Sequence, residues 1–216
     1  MQPLDGVCVL DFSTLLPGPM CTLLLAEAGA DVIKIERPGS GDDMRGYEPR
    51  IGSDSVNFAL LNRGKKSITA HLKETNDLAA IKQLIAKADV IVEQFRPGVM
   101  ARLGLGFEDV CKINPKIIYC SITGFGQHGP LSQIAAHDLN YQAEAGMLSL
   151  TSDDHGNPTI PPTLTADLAG GAYPAVMNIL LALRQRDLDG QARHLDIAMA
   201  DNLFTLMYWG LGNGLA

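Results

Sequence analysis

The sequence is poor in the features that mark several common protein classes. Its four cysteines, Cys8, Cys21, Cys111 and Cys120, form no Cys-x-x-Cys pair. That argues against a disulfide framework or a cysteine-built zinc site, and reduced, mostly buried thiols are expected. Positive charge is also short. Lys and Arg number 17 against 24 Asp and Glu, a formal net charge of −7. Nucleic-acid binders carry a basic footprint, so no nucleic-acid partner is expected. No apolar run approaches the ~20 residues that cross a bilayer. The longest, Ala172 to Leu183, stops at Arg184, Arg186 and Asp187, so no membrane partner is expected. Met1-Gln2-Pro3-Leu4-Asp5-Gly6 lacks the basic and apolar regions of a signal peptide, and a cytoplasmic location follows as an expectation. Gly-x-Ser-x-Gly, His-Glu-x-x-His and P-loop patterns are missing too, which counts against serine hydrolases, zinc proteases and P-loop NTPases. No metal-ligand set and no tightly bound cofactor is expected.

What is present is an ordinary apolar content of 46% in 216 residues, enough for one sizeable core. Gly6–Phe12 reads as a buried strand, Leu16-Pro-Gly-Pro19 as a turn into a helix over Met20–Ala28, and Asp31–Glu36 as a second strand. Ser40–Arg63 reads as a long loop with a short helix near Ser55–Leu61. Strands follow at Lys66–Leu72, Asp89–Glu93 and Lys116–Ile122, with helices at Asn76–Ala88, Gly98–Leu103 and Phe107–Ile113. This alternation predicts an α/β fold, a Rossmann-like and mainly parallel sheet flanked by helices. Further along, one helix is expected over Asp138–Leu150 and the longest over Leu168–Arg186. A strand over Arg193–Met199 and a final helix capped by Asp201 complete the pattern.

Four motifs bear on chemistry. Gly124-Phe-Gly126-Gln-His-Gly129 matches Gly-x-Gly-x-x-Gly, but Pro130 follows it and no strong helix begins there. It reads as a tight or substrate-covering loop rather than a dinucleotide fingerprint. Arg37, Lys73, Arg96 and Arg102 fall near strand ends, where open α/β sheets bind ligands, and suggest an anionic ligand. His137-Asp138-Leu-Asn140-Tyr141 stands at a loop–helix junction. Asp138 is a good N-cap there, and the helix N-terminus beside His137 favours the neutral imidazole a general base requires. Asp167 precedes Gly170-Gly171 at the start of the long helix. It too has a capping explanation, while the glycines would let a bulky group approach the backbone and open N–H groups would hold an oxyanion. Together these groups are suited to removing and returning a proton next to a carbonyl.

Longer matches then appear. Pro17-Gly-Pro19, Ala28-Gly-Ala-Asp-Val-Ile-Lys-Ile-Glu-Arg-Pro38-Gly39, Asn62-Arg-Gly-Lys-Lys-Ser67, Ala88-Asp-Val-Ile-Val-Glu-Gln-Phe-Arg-Pro-Gly98, Arg102-Leu-Gly104, Thr123-Gly-Phe-Gly126, His137-Asp-Leu-Asn-Tyr141 and Ala166-Asp-Leu-Ala-Gly-Gly171 occur in order. The chain resembles the family III CoA-transferases, and within them the α-methylacyl-CoA racemase branch. The resemblance implies a Rossmann-like large domain over residues 1–200 and, over 201–216, the start of a linker towards a small domain absent here. The chain would then be about half of a family member. The resemblance also implies an interlocked homodimer and coenzyme A bound as part of an acyl-CoA substrate. Arg37, Ala70, His71, Leu72, Lys73, Phe95, Arg96 and Arg102 would hold the nucleotide part of CoA. Ala136, Asp138, Asn140 and Tyr141 would lie beside the thioester.

Two activities come with the resemblance. In the racemase form, which His-Asp-x-Asn-Tyr favours, His137 and Asp167 work from opposite faces of the α-carbon of a 2-methylacyl-CoA. In the transferase form, Asp167 alone is a nucleophile that carries acyl and then CoA. Gly46–Phe58 is closer to the transferases in length. A third possibility is a CoA-binding fragment without turnover.

Overall fold

A computed structural model describes residues 1–214. The chain runs through β1 (Cys8–Asp11), α1 (Pro17–Glu27), β2 (Asp31–Glu36), β3 (Arg50–Ile51), β4 (Asp54–Ser55), α2 (Val56–Asn62), β5 (Lys66–Thr69), α3 (Thr75–Ile85) and β6 (Val90–Glu93). It continues through α4 (Val99–Arg102), α5 (Phe107–Ile113), β7 (Ile118–Thr123), α6 (Asp138–Glu144), α7 (Tyr173–Asp189), β8 (Arg193–Ala198), α8 (Met199–Leu206) and α9 (Tyr208–Gly214). Six strands form one sheet in the order β5-β2-β1-β6-β7-β8, and every neighbouring pair is parallel. The expected α/β class and mainly parallel sheet are therefore present.

Why these runs form a sheet follows from which face each side chain meets. Val9, Val90, Val92, Ile118, Cys120 and Ile122 point into one core with α1 and α7. The alternate residues Leu10, Ile91 and Tyr119 point into a second core with α3 and α5. Both faces of the central strands β6 and β7 are covered, so these strands are buried throughout and largely apolar, as parallel strands are, whereas the edge strands β5 and β8 are more polar and more exposed. Each large side chain buried this way contributes about 1.5–3 kcal/mol relative to exposure.

The strand over Asp31–Glu36 matches its expected range. Elsewhere the local reading needs correction. The helix expected over Asp138–Leu150 is broken at Gly146, whose φ is +88°. α6 ends at Glu144, and Met147–Leu150 is a separate 3₁₀ turn. Asp201 is no cap. Ala198 holds that position and Asp201 lies in the first turn of α8. Over the stretch expected to begin a linker, α8 buries Leu203, Met207 follows it and is buried too, and α9 extends to Gly214; Leu215 and Ala216 lie outside the described residues. The loop over Ser40–Arg63 contains a 3₁₀ turn at Asp43–Gly46, the β3–β4 hairpin and α2, which Ser55 caps by accepting the Phe58 N–H.

The longest helix starts with a π-helical segment, Ala166–Ala172, and continues as α7. Taken together, Ala166–Asp189 is long and apolar enough to cross a membrane by length and composition. One face is packed in the core, where Ala175 and Ile179 are fully buried. The two glycines in the π segment are explained by packing rather than by an open backbone. A Cβ on Gly170 would lie 2.5 Å from the Met199 carbonyl oxygen, and one on Gly171 would lie 3.1 Å from the Met199 Sδ and 3.2 Å from Pro17 Cβ. The bulky groups admitted are therefore the N-termini of α8 and α1. π segments concentrate at functional sites, and this one carries Asp167.

Candidate active site

Strand order reverses between β1 and β6, and ligands of open α/β sheets bind at the carboxyl ends of strands at such a point. Two cavities of about 350 Å³ each lie there. The first is bounded by the turn after β1, the turn after β6, the loop before α6 and the π segment. The second is bounded by the turns after β1, β2 and β5. Phe95, in the turn after β6, lines both.

The turn after β1 is held from below by buried charge. Asp11 is fully buried. Its carboxylate accepts from Ser13 N–H at 2.9 Å, from the Thr22 hydroxyl at 2.6 Å and from Lys65 Nζ at 3.1 Å. Lys34 Nζ, also buried, lies 2.9 Å from the Asp42 carboxylate and donates to the Ser13 carbonyl at 2.8 Å. Burial pushes the Asp11 carboxyl up, but Lys34, Lys65, Ser13 and Thr22 outweigh this and hold it below its ordinary range. Burial also opposes ionisation of Glu36. Hydrogen bonds from Arg45, Ser67 and the Asp42 N–H overcome it, so its carboxyl sits at about 2.

This frame fixes Leu15 in the left-handed region at φ +61°, a conformation costing a branched side chain about 1–2 kcal/mol. Asp42 accepts the Leu15 N–H at 3.1 Å. Gln94 bridges the same turn, donating to the Thr14 carbonyl at 2.6 Å and accepting Gly18 N–H at 3.0 Å. Strain held this way gathers at functional sites, and Leu15 lines the first cavity.

The residues singled out in the sequence divide between the cavities. Phe95, Arg96, Ala136, His137, Asn140, Tyr141 and Asp167 line the first. Arg37, Ala70, His71, Leu72, Lys73 and Phe95 line the second. Arg96 thus stands with His137 and Asp167 rather than with Arg37 and Lys73. Arg102 lines neither cavity; it is exposed at the end of α4. Arg37 is engaged by Asp43 and Ser40.

Asp138 lines neither cavity and is no cap. His137 is the N-cap residue, and its N–H donates to Asn140 Oδ1 at 3.0 Å. Asp138, the first residue of α6, is buried, and it accepts the Asp167 N–H at 2.9 Å and the Gln142 amide. It ties the His137 loop to the Asp167 segment, which lies 29 residues away in sequence. Tyr141 steadies the loop from the other side, donating to the Ala136 carbonyl at 2.7 Å. Gly124 makes room for that ring, since a Cβ there would fall 2.3 Å from it.

Asp167 is half-buried, and no described residue donates a hydrogen bond to its carboxylate. Burial first, and the nearby Asp138 second, push its carboxyl up to about 7. The same two carboxylates add to the burial that pushes Tyr141 up to about 12. Asp138→Asn keeps an oxygen acceptor for the Asp167 N–H and removes the negative charge. The Asp167 carboxyl is then expected to titrate below 7 but above its ordinary 3.8, because burial is the larger cause and remains. Carbon-13 NMR of the Asp167 carboxyl checks this, and an unchanged midpoint would contradict it. Residues the sequence reading did not single out are Leu15, Gln94 and Met199 in the first cavity. Gln94 was accessible, being adjacent to Phe95 at a strand end, whereas Met199 enters through tertiary packing.

A parallel sheet with paired cavities at its switch point and, in one of them, a half-buried carboxylate whose carboxyl is pushed up to about 7 defines an α/β enzyme domain. The chain belongs to CoA-transferase family III, which it matches over residues 4–216. It is 43% identical to the acetyl-CoA:oxalate CoA-transferase of Acetobacter aceti over 210 residues, covering 97% of this chain and 54% of that one. It is 37% identical to the human alpha-methylacyl-CoA racemase over 198 residues, covering 92% and 48%. Among solved structures, a CAIB/BAIF family protein from Brucella suis superposes with a TM-score of 0.94 at 35% identity, covering 99% of this chain and 57% of that one. The chain thus spans about half the length of the curated relatives it matches.

Proposed function

We propose that this chain supplies the thioester-reacting part of an enzyme that moves coenzyme A between carboxylic acids, with Asp167 as the nucleophile. The observation that carries the proposal is the Asp167 carboxylate, half-buried and without a hydrogen-bond donor among the described residues, in a cavity that adjoins a second one across Phe95. Thin hydration and raised basicity both favour attack on a carbonyl carbon. The acyl-CoA would lie across both cavities, with its nucleotide towards Arg37 and Lys73 and its thioester towards Asp167. Arg37 would exchange Asp43 for a phosphate.

Asp167 attacks the thioester carbonyl, the C–S bond breaks, and CoA leaves as a thiolate with a mixed anhydride left on Asp167. The thiolate then attacks the Asp167 carbonyl and releases the first acid. The acceptor carboxylate attacks the resulting Asp167 thioester, forming a new anhydride and freeing the thiolate. Attack of that thiolate on the acceptor's carbonyl yields the product thioester and the free Asp167 carboxylate. The relative named for acetyl-CoA and oxalate has the higher identity of the two above, which supports this reading over the racemase.

The racemase reading is favoured by His137, which lines the same cavity as Asp167 and gives the pair of bases it needs. One experiment separates them. The protein is incubated in deuterated water with a 2-methylacyl-CoA, and separately with acetyl-CoA and labelled oxalate. Label entering oxalyl-CoA without deuterium at the α-carbon supports transfer. Deuterium at the α-carbon without label transfer contradicts it and supports racemisation.

A cytoplasmic homodimer is part of the proposal. α7 leaves Tyr173, Met177, Leu181 and Leu188 exposed, an apolar face of the kind that further protein covers.

A further inference from the structure

On the sheet face that carries Ile91 and Tyr119, below both cavities, lies a chain of polar groups that the thioester chemistry does not use. Glu93 ends β6 and is 4% exposed. Its carboxylate accepts the Phe95 N–H at 2.8 Å. Ser121, its register partner on β7, lies on the same sheet face and favours the ionised form of that carboxyl. The Ser121 Oγ is also 2.9 Å from His194 Nε2. His194 belongs to the edge strand β8 and is exposed. Its ring stacks on Phe107 with centroids 5.1 Å apart and meets Tyr119 edge-on at 5.3 Å, which fixes its orientation. The chain therefore runs from solvent at His194 to the turn whose Phe95 lines both cavities.

We infer that Glu93 is a positioning residue whose proton, exchanged with solvent through Ser121 and His194, sets how firmly the Phe95 turn is held and thereby the affinity for acyl-CoA. The affinity half of this rests on the CoA reading above, and the coupling of Glu93 to Phe95 does not.

The proton balance is simple. With Glu93 ionised, His194 Nε2–H donates to Ser121, and Ser121 and the Phe95 N–H both donate to the carboxylate. A proton arriving at His194 Nδ1 lets the Nε2 proton pass to Ser121 and the Ser121 proton pass to Glu93. Afterwards Glu93 donates to Ser121, Ser121 donates to His194 Nε2, and His194 is neutral with its hydrogen on Nδ1. Protonated Glu93 is the poorer acceptor, because the charge-assisted bond to Phe95 becomes a neutral one.

Burial, with a smaller contribution from Asp196, pushes the Glu93 carboxyl up to about 7, against the opposing bonds from Ser121 and Phe95. The titratable groups on its face of the sheet are Asp196 and His194 on β8 and Tyr119 on β7, and Cys120, on the opposite face, also feels its charge. Burial raises Tyr119 and Cys120, which stay protonated. Burial lowers His194, with His128 and Glu108 beside it. Affinity is therefore high above about 7, where Glu93 is ionised, and lower below it.

The test is NMR on the labelled 216-residue chain, following the Glu93 carboxyl carbon and the Phe95 amide across pH. Both signals are expected to move together with one midpoint near 7. Glu93→Gln should hold the Phe95 amide at its acid-side position at every pH. Ser121→Ala, which removes a donor to the carboxylate, should move the midpoint upward and serves if the first variant folds poorly. A Glu93 midpoint near 4.5, or a Phe95 amide that stays still while Glu93 titrates, overturns the inference. In parallel, calorimetry with free CoA should show binding about fivefold weaker on the acid side of the midpoint, the scale of one hydrogen bond's net difference, and Glu93→Gln should bind at the weaker level throughout. Binding that is pH-independent in the parent overturns the affinity half. If CoA binds at no pH, the CoA reading fails, and the amide titration still decides the coupling.

Discussion

Asp167→Asn is expected to lower CoA transfer by on the order of 10³-fold or more, the scale of losing an enzymic nucleophile, while leaving the fold and CoA binding intact. The substitution keeps the Asp167 N–H bond to Asp138, because that bond uses the backbone. The lost carboxylate accepts no hydrogen bond from any described residue, so no buried donor is stranded. The sign of the stability change follows from the titration. The folded-state carboxyl at about 7 lies above its ordinary 3.8, so the ionised form disfavours the folded state. That penalty grows as pH rises from about 4 to about 7 and is complete above. Asp167→Asn should therefore be at least as stable as the parent on the alkaline side. Turnover and thermal unfolding measured together check this. Lost activity with an equal loss of stability would mean that Asp167 is structural.

The second large effect concerns the charges under the turn after β1. Asp11→Ala leaves the buried Lys65 ammonium without its carboxylate partner and weakens the hold on Ser13, Thr22 and Lys34. Removing one partner of a buried ion pair destabilises by roughly 3–5 kcal/mol, a large share of the ~5–15 kcal/mol that holds a domain together. Most of that loss comes from the stranded charge. Asp11→Ala combined with Lys65→Met should therefore be more stable than Asp11→Ala alone, because the second change removes the stranded ammonium. Urea unfolding of the parent, both single variants and the double checks this; a double variant as unstable as the sum of the singles would contradict it. The depressed Asp11 carboxyl adds a pH signature. Its contribution is present above the ordinary 3.8 and is lost as pH falls through the lower folded-state value.

The sheet was legible because its signal is local. Runs such as Val90-Ile91-Val92 are apolar on both faces and bounded by Asp89 and Glu93, so they state both strand and layer. The first cavity was legible for a different reason: His137 and Asp167 stand in long ordered motifs, and the structure brings them to one cavity. What escaped was set by contacts distant in sequence. Asp138 at the start of a helix reads as a cap under any local rule, yet the Asp167 N–H claims its carboxylate. Gly170 and Gly171 read as an open backbone, yet Met199 and Pro17 occupy the space. Gly146 ended α6 early by adopting a positive φ, which an isolated glycine in a helical pattern does not announce. Glu93, Ser121 and His194 carry no motif spacing, and only the register of β6, β7 and β8 aligns them.

The central claim is that Asp167 becomes covalently loaded. The direct test is to mix the protein with acetyl-CoA, quench with hydroxylamine and map the modified peptide by mass spectrometry. An aspartyl hydroxamate at Asp167, absent without acyl-CoA and absent from Asp167→Asn, is the predicted result. Measurable CoA transfer with an unmodified Asp167 at every time point would contradict it.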